Sequence, residues 1–166
     1  MSGLLEVSGL TKHFPIRRGL FGRVERVHAV DGISFRIAAG QTLAIVGESG
    51  CGKSTTSRLL LHLIRPDAGR IVFDGQEVTA ANSASVRLLR RQAQMVFQDS
   101  HSSLNPRKRV LDSVAFPLVA LGRPRREARD RAAALLDRVG LEPDRIAHRF
   151  PHELSGGQRQ RVNIAR

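Results

Sequence analysis

The chain has 166 residues, 41% hydrophobic and 25% charged, which places it among globular rather than disordered sequences. Lys and Arg number 27 against 15 Asp and Glu, and the resulting net charge of +12 favours anionic partners such as nucleotides, nucleic acid or an anionic membrane surface without choosing among them. The lone cysteine, Cys51, excludes an internal disulfide and a cysteine-rich metal site. No segment approaches the roughly 20 apolar residues of a transmembrane helix, and the start lacks a secretory pattern or an N-myristoylation site, so any membrane role is expected to be peripheral.

In chain order, Leu4 to Phe14 and Val27 to Ile37 read as two strands joined by a Gly- and Arg-rich loop, Pro15 to Arg26. Gln41 to Val46 is a short apolar run suited to a strand buried on both faces. Glycines follow, and a helix is expected from near Gly52, with Leu59, Leu60, Leu63 and Ile64 on its inner face and Pro66 and Gly69 as its stop. Asp74-Gly75 between Arg70–Phe73 and Glu77–Thr79 predicts a tight hairpin, because both residue types tolerate positive φ. Ser83 to Arg91 reads as a helix with Leu88 and Leu89 inward, and Gln94 to Phe97 as a buried strand. Beyond Asp99 strand signal fades. A helix is expected near Val110 to Leu121, tolerating or breaking at Pro117, then one from Arg126 to Val139 that buries Ala132, Leu135, Leu136 and Val139 and ends at Gly140. The expected division is 1–99 and 100–166.

Gly47-Glu48-Ser49-Gly50-Cys51-Gly52-Lys53-Ser54 satisfies G-x-x-x-x-G-K-[ST] and lies between an expected strand and an expected helix, the context its mechanism needs. The glycines let successive N–H groups turn into one concavity at the positive end of the helix dipole. Lys53 is suited to the β- and γ-phosphates, the Ser54 hydroxyl to Mg²⁺, and Thr55 to the α-phosphate; Cys51 is expected to contribute its backbone N–H. Leu154-Ser155-Gly156-Gly157-Gln158 supplies a second helix start open to an anion, with Ser155 as N-cap and bare glycine N–H groups ahead of a helix running through Arg159 to Ala165. Two such ends with one phosphate cradle suggest a dimer in which the second end closes on a neighbour's nucleotide. His148 and His152 are four apart but separated by Pro151, which argues against a metal-binding helix face, and the remaining histidines suggest packing or surface roles.

The cradle together with LSGGQRQR resembles the ATP-binding cassette (ABC) transporter ATPases, from about Leu5 to Arg166. The resemblance implies a P-loop, RecA-like α/β core with antiparallel β and α-helical subdomains. The core and antiparallel part, with the Walker A loop and Q-loop, would occupy 1–99, and the helical subdomain with the signature motif 100–166. It further implies that Phe14 stacks on adenine, that Gly47 to Thr55 is the Walker A loop, and that Gln98 is the Q-loop glutamine, acting catalytically with Lys53 and on Mg²⁺ with Ser54. Leu154 to Gln158 would bind the γ-phosphate of ATP across a head-to-tail dimer of ATPase subunits.

The strings HFPIRRGLFGRV, VHAVDGISF, GESGCGKST, SSLNPR and FPHELSGGQRQR are similar to ATP-binding subunits of oligopeptide, dipeptide and nickel importers, with Ser100 standing where proline is expected. Such subunits sit at the cytoplasmic face of the membrane on permease subunits, and an extracytoplasmic binding protein delivers the solute. No nucleic-acid partner is implied. The family pattern continues past this sequence into the Walker B Asp-Glu, D-loop and switch histidine, so the chain is expected to be a C-terminally incomplete fragment, marginally stable and inactive in hydrolysis alone. The +12 charge keeps open a soluble ABC-type protein acting on nucleic acid or the ribosome, and the missing motifs keep open a non-catalytic remnant.

Overall fold

The computed structural model describes residues 3–17, 24–78, 84–97 and 103–166. Residue contacts divide the chain into two compact units, Met1–Met95 and Val96–Arg166.

The first unit is built on a four-stranded antiparallel sheet, in the order β2-β1-β3-β4. Strand β1 is Leu5–Arg17, β2 Val24–Ile37, β3 Ala68–Phe73 and β4 Gln76–Glu77. β1 pairs with both β2 and β3, placing Val7 opposite Phe35 on one side and Ile71 on the other. Val7, Leu10, Val30, Ile71 and Phe73 project from this sheet into a core completed by Leu59, Val78, Val86 and Leu89. The β3–β4 turn forms as its sequence predicts: Asp74 and Gly75 both take positive φ, 48° and 74°, and Phe73 pairs with Gln76.

The first two strands extend further than expected. Pairing continues through Pro15↔Arg26, Ile16↔Glu25 and Arg17↔Val24, into the segment read from sequence as loop. Among the described residues the pairing of β3 to β1 reaches only Thr11↔Ala68, so past that point β1 is an edge on one side, where proline's missing N–H does not interrupt a ladder. Three register shifts bend the pair. One lies between Lys12↔Val30 and His13↔His28 and leaves Ala29 as an extra residue on β2.

Gln41 to Val46 and Gln94 to Phe97 are not strands, contrary to the sequence reading. Among the described residues neither has a ladder partner, and their apolar side chains stay open: Val46 is 88% and Val96 58% exposed. A parallel strand forms only against a neighbour and under cover on both faces, and apolar composition cannot replace either.

Helix α1 spans Lys53–Leu60 and α2 Ala84–Gln92. α2 buries Val86 and Leu89, while Leu88, expected inward, is half-buried. α1 stops before Leu63 and Ile64, which were expected on it. His62 at φ 52° ends the helix: its N–H donates to the Leu59 carbonyl and the Leu63 N–H to Arg58, a left-handed cap that proline and glycine further on do not supply. The His62 ring is buried, its Nδ1 has no hydrogen-bond partner, and its carbonyl accepts from Arg90 Nη2 at 2.9 Å.

In the second unit, helices α3 (Val110–Ala120), α4 (Arg125–Arg138), α5 (Pro143–Ile146) and α6 (Gly156–Ala165) surround one core containing Val110, Val114, Ala132, Leu136, Leu154 and Val162. α3 runs through Pro117. Backbone carbonyls substitute for a side-chain cap at its start, since the Val110 N–H donates to Arg149 and the Leu111 N–H to Ala147. Asp112 Oδ1 accepts both Nε and Nη2 of Arg129, tying α3 to α4. The Gly140 carbonyl just past α4 accepts from Arg161 Nη1 of α6, a cation at a helix C-terminus.

Burial holds the His62 pKa below its ordinary value of 6.5, with the nearby Arg90 and Arg65 charges lowering it further. The unfolded state therefore binds the extra proton first as pH falls below about 6.5, and the stability associated with neutral His62 is present above that pH and lost below it. Asparagine tolerates the left-handed conformation and does not titrate. Between pH 7.5 and 5.5 the urea midpoint of the wild-type chain should fall further than that of His62→Asn.

Candidate functional site

The glycine loop leaves β2 through residues 38–46 and closes on α1. Gly47, Gly50 and Gly52 take φ of 157°, 86° and 95°, and Glu48, Ser49 and Gly50 lie exposed on the rim. The approach at Gly52 is the tightest: a Cβ there would stand 2.0 Å from the Ala29 carbonyl oxygen of β2. No other residue type fits both that distance and that φ. The bulged residue of β2 therefore fixes where α1 begins.

α1 starts without a side-chain cap and without an acidic residue in its first turn. Thr56 is the first helix residue whose N–H is used, donating to the Gly52 carbonyl at 2.8 Å, so the preceding N–H groups and the helix dipole are directed at the loop. Lys53 Nζ is drawn into the same concavity, donating to the carbonyls of Gly47 at 2.7 Å and Glu48 at 2.6 Å and lying 3.4 Å from Cys51 Sγ. Ser54 is exposed on the first turn and Thr55 half-buried beside it. The Cys51 N–H, expected to face an anion, here donates to the Glu48 carbonyl at 3.3 Å, and its thiol is exposed. An uncapped helix start and a lysine charge converging on one glycine loop can bind a multiply charged phosphate.

Phe14 lies on β1, opposite Val27, with 39% of its surface exposed and Lys12 Nζ 5.5 Å from its ring centre. It belongs to the same unit as the loop and is partly exposed. Gln98 lies outside the described residues.

The second motif lies in the helical unit. Leu154 is buried in its core, and Ser155 caps α6 as expected. The Gln158 N–H donates to Ser155 Oγ at 3.3 Å, and the Ser155 N–H to Gln158 Oε1 at 3.0 Å. Both glycines lie in the first turn of the helix, as a Ser155 N-cap requires. A Cβ at Gly156 or Gly157 would meet nothing within 4 Å, so the chain's own packing does not require glycine at either position. Both positions face open space.

Part of the positive charge is concentrated on this unit. A cleft of about 420 Å³ is lined by Arg107, Lys108, Arg109, Arg125 and Arg129 against the single carboxylate of Asp112. His148 and His152 are engaged separately, the first with Arg109 and the second stacked on Phe150. Sequence reasoning missed the grouping of His13, His28 and Asp31, because 15 positions separate the two histidines and only the strand register makes them neighbours.

Gly52→Ala should destabilise the first unit by about 1–3 kcal/mol, from left-handed strain alone, and by more if α1 is displaced from Ala29. Gly157→Ala should leave the urea midpoint of the helical unit undiminished, because alanine has room there and the better helix propensity.

A profile of the ABC transporter family matches residues 30–166. The glutathione import ATP-binding protein GsiA of Pectobacterium atrosepticum is 54% identical over 165 residues, and GsiA of Escherichia coli K12 is 49% identical over the same length. Each match covers 98% of this chain and 26% of the relative, so the chain spans about a quarter of the length of these curated proteins. Among solved structures, cbiO1 of Clostridium perfringens, part of an ABC transporter complex, is 32% identical with a TM-score of 0.75 and is matched over 61% of its length. A dimeric bacterial ABC transporter cassette gives a TM-score of 0.80 at 31% identity and is matched over 67% of its length. The same cassette bound to ADP and Pi also gives 0.80. The chain belongs to the ABC transporter family, with the fold of its P-loop ATPase cassettes.

Proposed function

We propose that this chain is the nucleotide-binding part of an ABC importer ATPase, which binds MgATP to energise import of a peptide-like solute. The observation that carries the reading is the convergence on one glycine loop of an uncapped helix start and the Lys53 ammonium. The relatives named for glutathione import support the choice of a peptide-like solute.

Binding exchanges one set of contacts for another. Lys53 gives up the Gly47 and Glu48 carbonyls for β- and γ-phosphate oxygens, which are the stronger acceptors for an ammonium. Residues Gly47, Glu48, Ser49, Gly50, Cys51, Gly52, Lys53, Ser54 and Thr55 enclose the phosphates, and Phe14 stacks on the base. The Ser54 hydroxyl, an exposed oxygen on the first turn, suits Mg²⁺, which takes few protein ligands and keeps its waters; Gln98 is proposed as a second ligand. When bound, Mg²⁺ neutralises phosphate charge. Leu154 to Gln158 contact the γ-phosphate held by a second ATPase subunit, with Gly156 and Gly157 offering bare backbone at the approach.

The partners are this second subunit, in a head-to-tail dimer, and the transmembrane permease subunits, with an extracytoplasmic binding protein acting indirectly. The place is the cytoplasmic face of the membrane. Among the described residues no helix is long and apolar enough to cross a membrane, which fits a peripheral subunit. Hydrolysis is assigned to the longer protein, and this chain supplies phosphate binding and orientation.

Thermal unfolding of the chain with and without MgATP tests the reading. Specific binding should add about 2.7 kcal/mol at 100 times Kd, and Lys53→Ala should remove most of that gain. An unchanged melting temperature at saturating MgATP, or an equal gain in Lys53→Ala, would refute it.

A further inference from the structure

We propose that His13, His28 and Asp31 form a binding site for a divalent transition metal of the Zn²⁺ class, on the outer face of the β1–β2 pair. His13 and His28 are direct cross-strand partners, and their rings stack with centres 3.9 Å apart. Asp31 would ordinarily be excluded from this group, since residues three apart on a regular strand point to opposite faces. The extra residue at Ala29 inverts the alternation. Val30 turns into the core while His28 and Asp31 share the exposed face.

The distances favour a metal over hydrogen bonding alone. Asp31 Oδ1 lies 3.4 Å from His13 Nε2 and Oδ2 lies 3.3 Å from His28 Nδ1, with one ligand atom from each residue within 4.8 Å of the others. Charge-assisted hydrogen bonds close to about 2.7–2.9 Å. Ligands about 2.0–2.1 Å from a tetrahedral Zn²⁺ stand about 3.4 Å apart; each nitrogen here faces its own Asp31 oxygen at that separation, and with one atom from each residue within 4.8 Å of the others, side-chain rotation suffices to close the three donors on one ion. Two imidazoles and a carboxylate are the donor set of Zn²⁺ and its neighbours rather than of Mg²⁺ or Ca²⁺, and the exposed position leaves room for a fourth ligand from solvent.

The surroundings also suit a cation. The adjacent Lys12 charge is taken up by Asp67 at 2.7 Å, and the other oxygen of Asp67 accepts the His13 backbone N–H at 2.7 Å, fixing that strand position. A bound metal would clip β1 to β2 one residue before Phe14. This inference rests on the strand geometry and is independent of the nucleotide reading.

The test is calorimetric titration of the chain with Zn²⁺ in a Cys51→Ser background, which removes the competing thiol. One saturable equivalent is expected, weakened at least about tenfold by His28→Gln and by Asp31→Asn, substitutions at exposed positions that leave the core untouched. Co²⁺ should give the visible absorption of a low-coordinate N/O site, lost in the same variants, and Zn²⁺ should raise the melting temperature of the parent but not of His28→Gln. Absence of saturable binding at millimolar Zn²⁺, or equal affinity in parent and variants, would overturn the proposal.

Discussion

The contact on which most of the first unit depends is the approach of the Ala29 carbonyl to Gly52. A side chain at Gly52 would stand 2.0 Å from that oxygen, so the start of α1 and the mouth of the phosphate loop are seated directly on the bulge of β2. The same bulge turns His28 onto the outer face beside His13 and Asp31 and lets Val30 enter the core. One inserted residue therefore sets where α1 begins and assembles a separate cluster of donors on the exposed face of the strand. Straightening the strand would disturb both, because parity along a strand allows no local correction.

The two helix starts that carry the family motifs solve the same problem in different ways. α1 leaves its first N–H groups unclaimed among the described residues, and the Lys53 ammonium adds a like-signed charge beside them, held by the Gly47 and Glu48 carbonyls of the loop. α6 is closed by a reciprocal Ser155–Gln158 box, which fixes its geometry without any ligand and leaves Gly156 and Gly157 as the open surface. The first arrangement suits a site that encloses its anion. The second suits a rigid edge presented to an anion held elsewhere.

The legible part of the sequence was the part governed by local chemistry. Asp74-Gly75 allowed only a tight turn, Ser155 with Gln158 three positions on defined a cap, and the glycine-lysine-serine pattern had one mechanical reading. Apart from the early end of α1, which a local left-handed turn at His62 sets, the misreadings involved partners that composition does not reveal. Gln41 to Val46 and Gln94 to Phe97 have the residues of buried strands and remain irregular, with Val46 and Val96 exposed. Likewise, β1 and β2 extend through Pro15 because β3 has already stopped pairing, a fact set by a strand more than fifty positions away. His13 and His28 looked unremarkable for the same reason: their proximity is a property of register.

The unpaired segments bear on how the cassette holds together. The chain covers 61% and 67% of the two solved cassettes named above, and its described sheet is entirely antiparallel. That sheet needs no further strand to bury Val7, Leu10 and Ile71, and the helical unit closes its own core around Leu136 and Val162. The phosphate loop is different. It enters from the irregular Gln41 to Val46 segment, where Leu43, Ile45 and Val46 all remain exposed, and its firm seat is the α1 end on Ala29. On the proposed nucleotide reading, the loop's grip on phosphate is set from its helix side, by Gly52, Lys53 and the α1 dipole, while pairing of the Gln41 to Val46 segment would stiffen the entry without altering which groups face the anion.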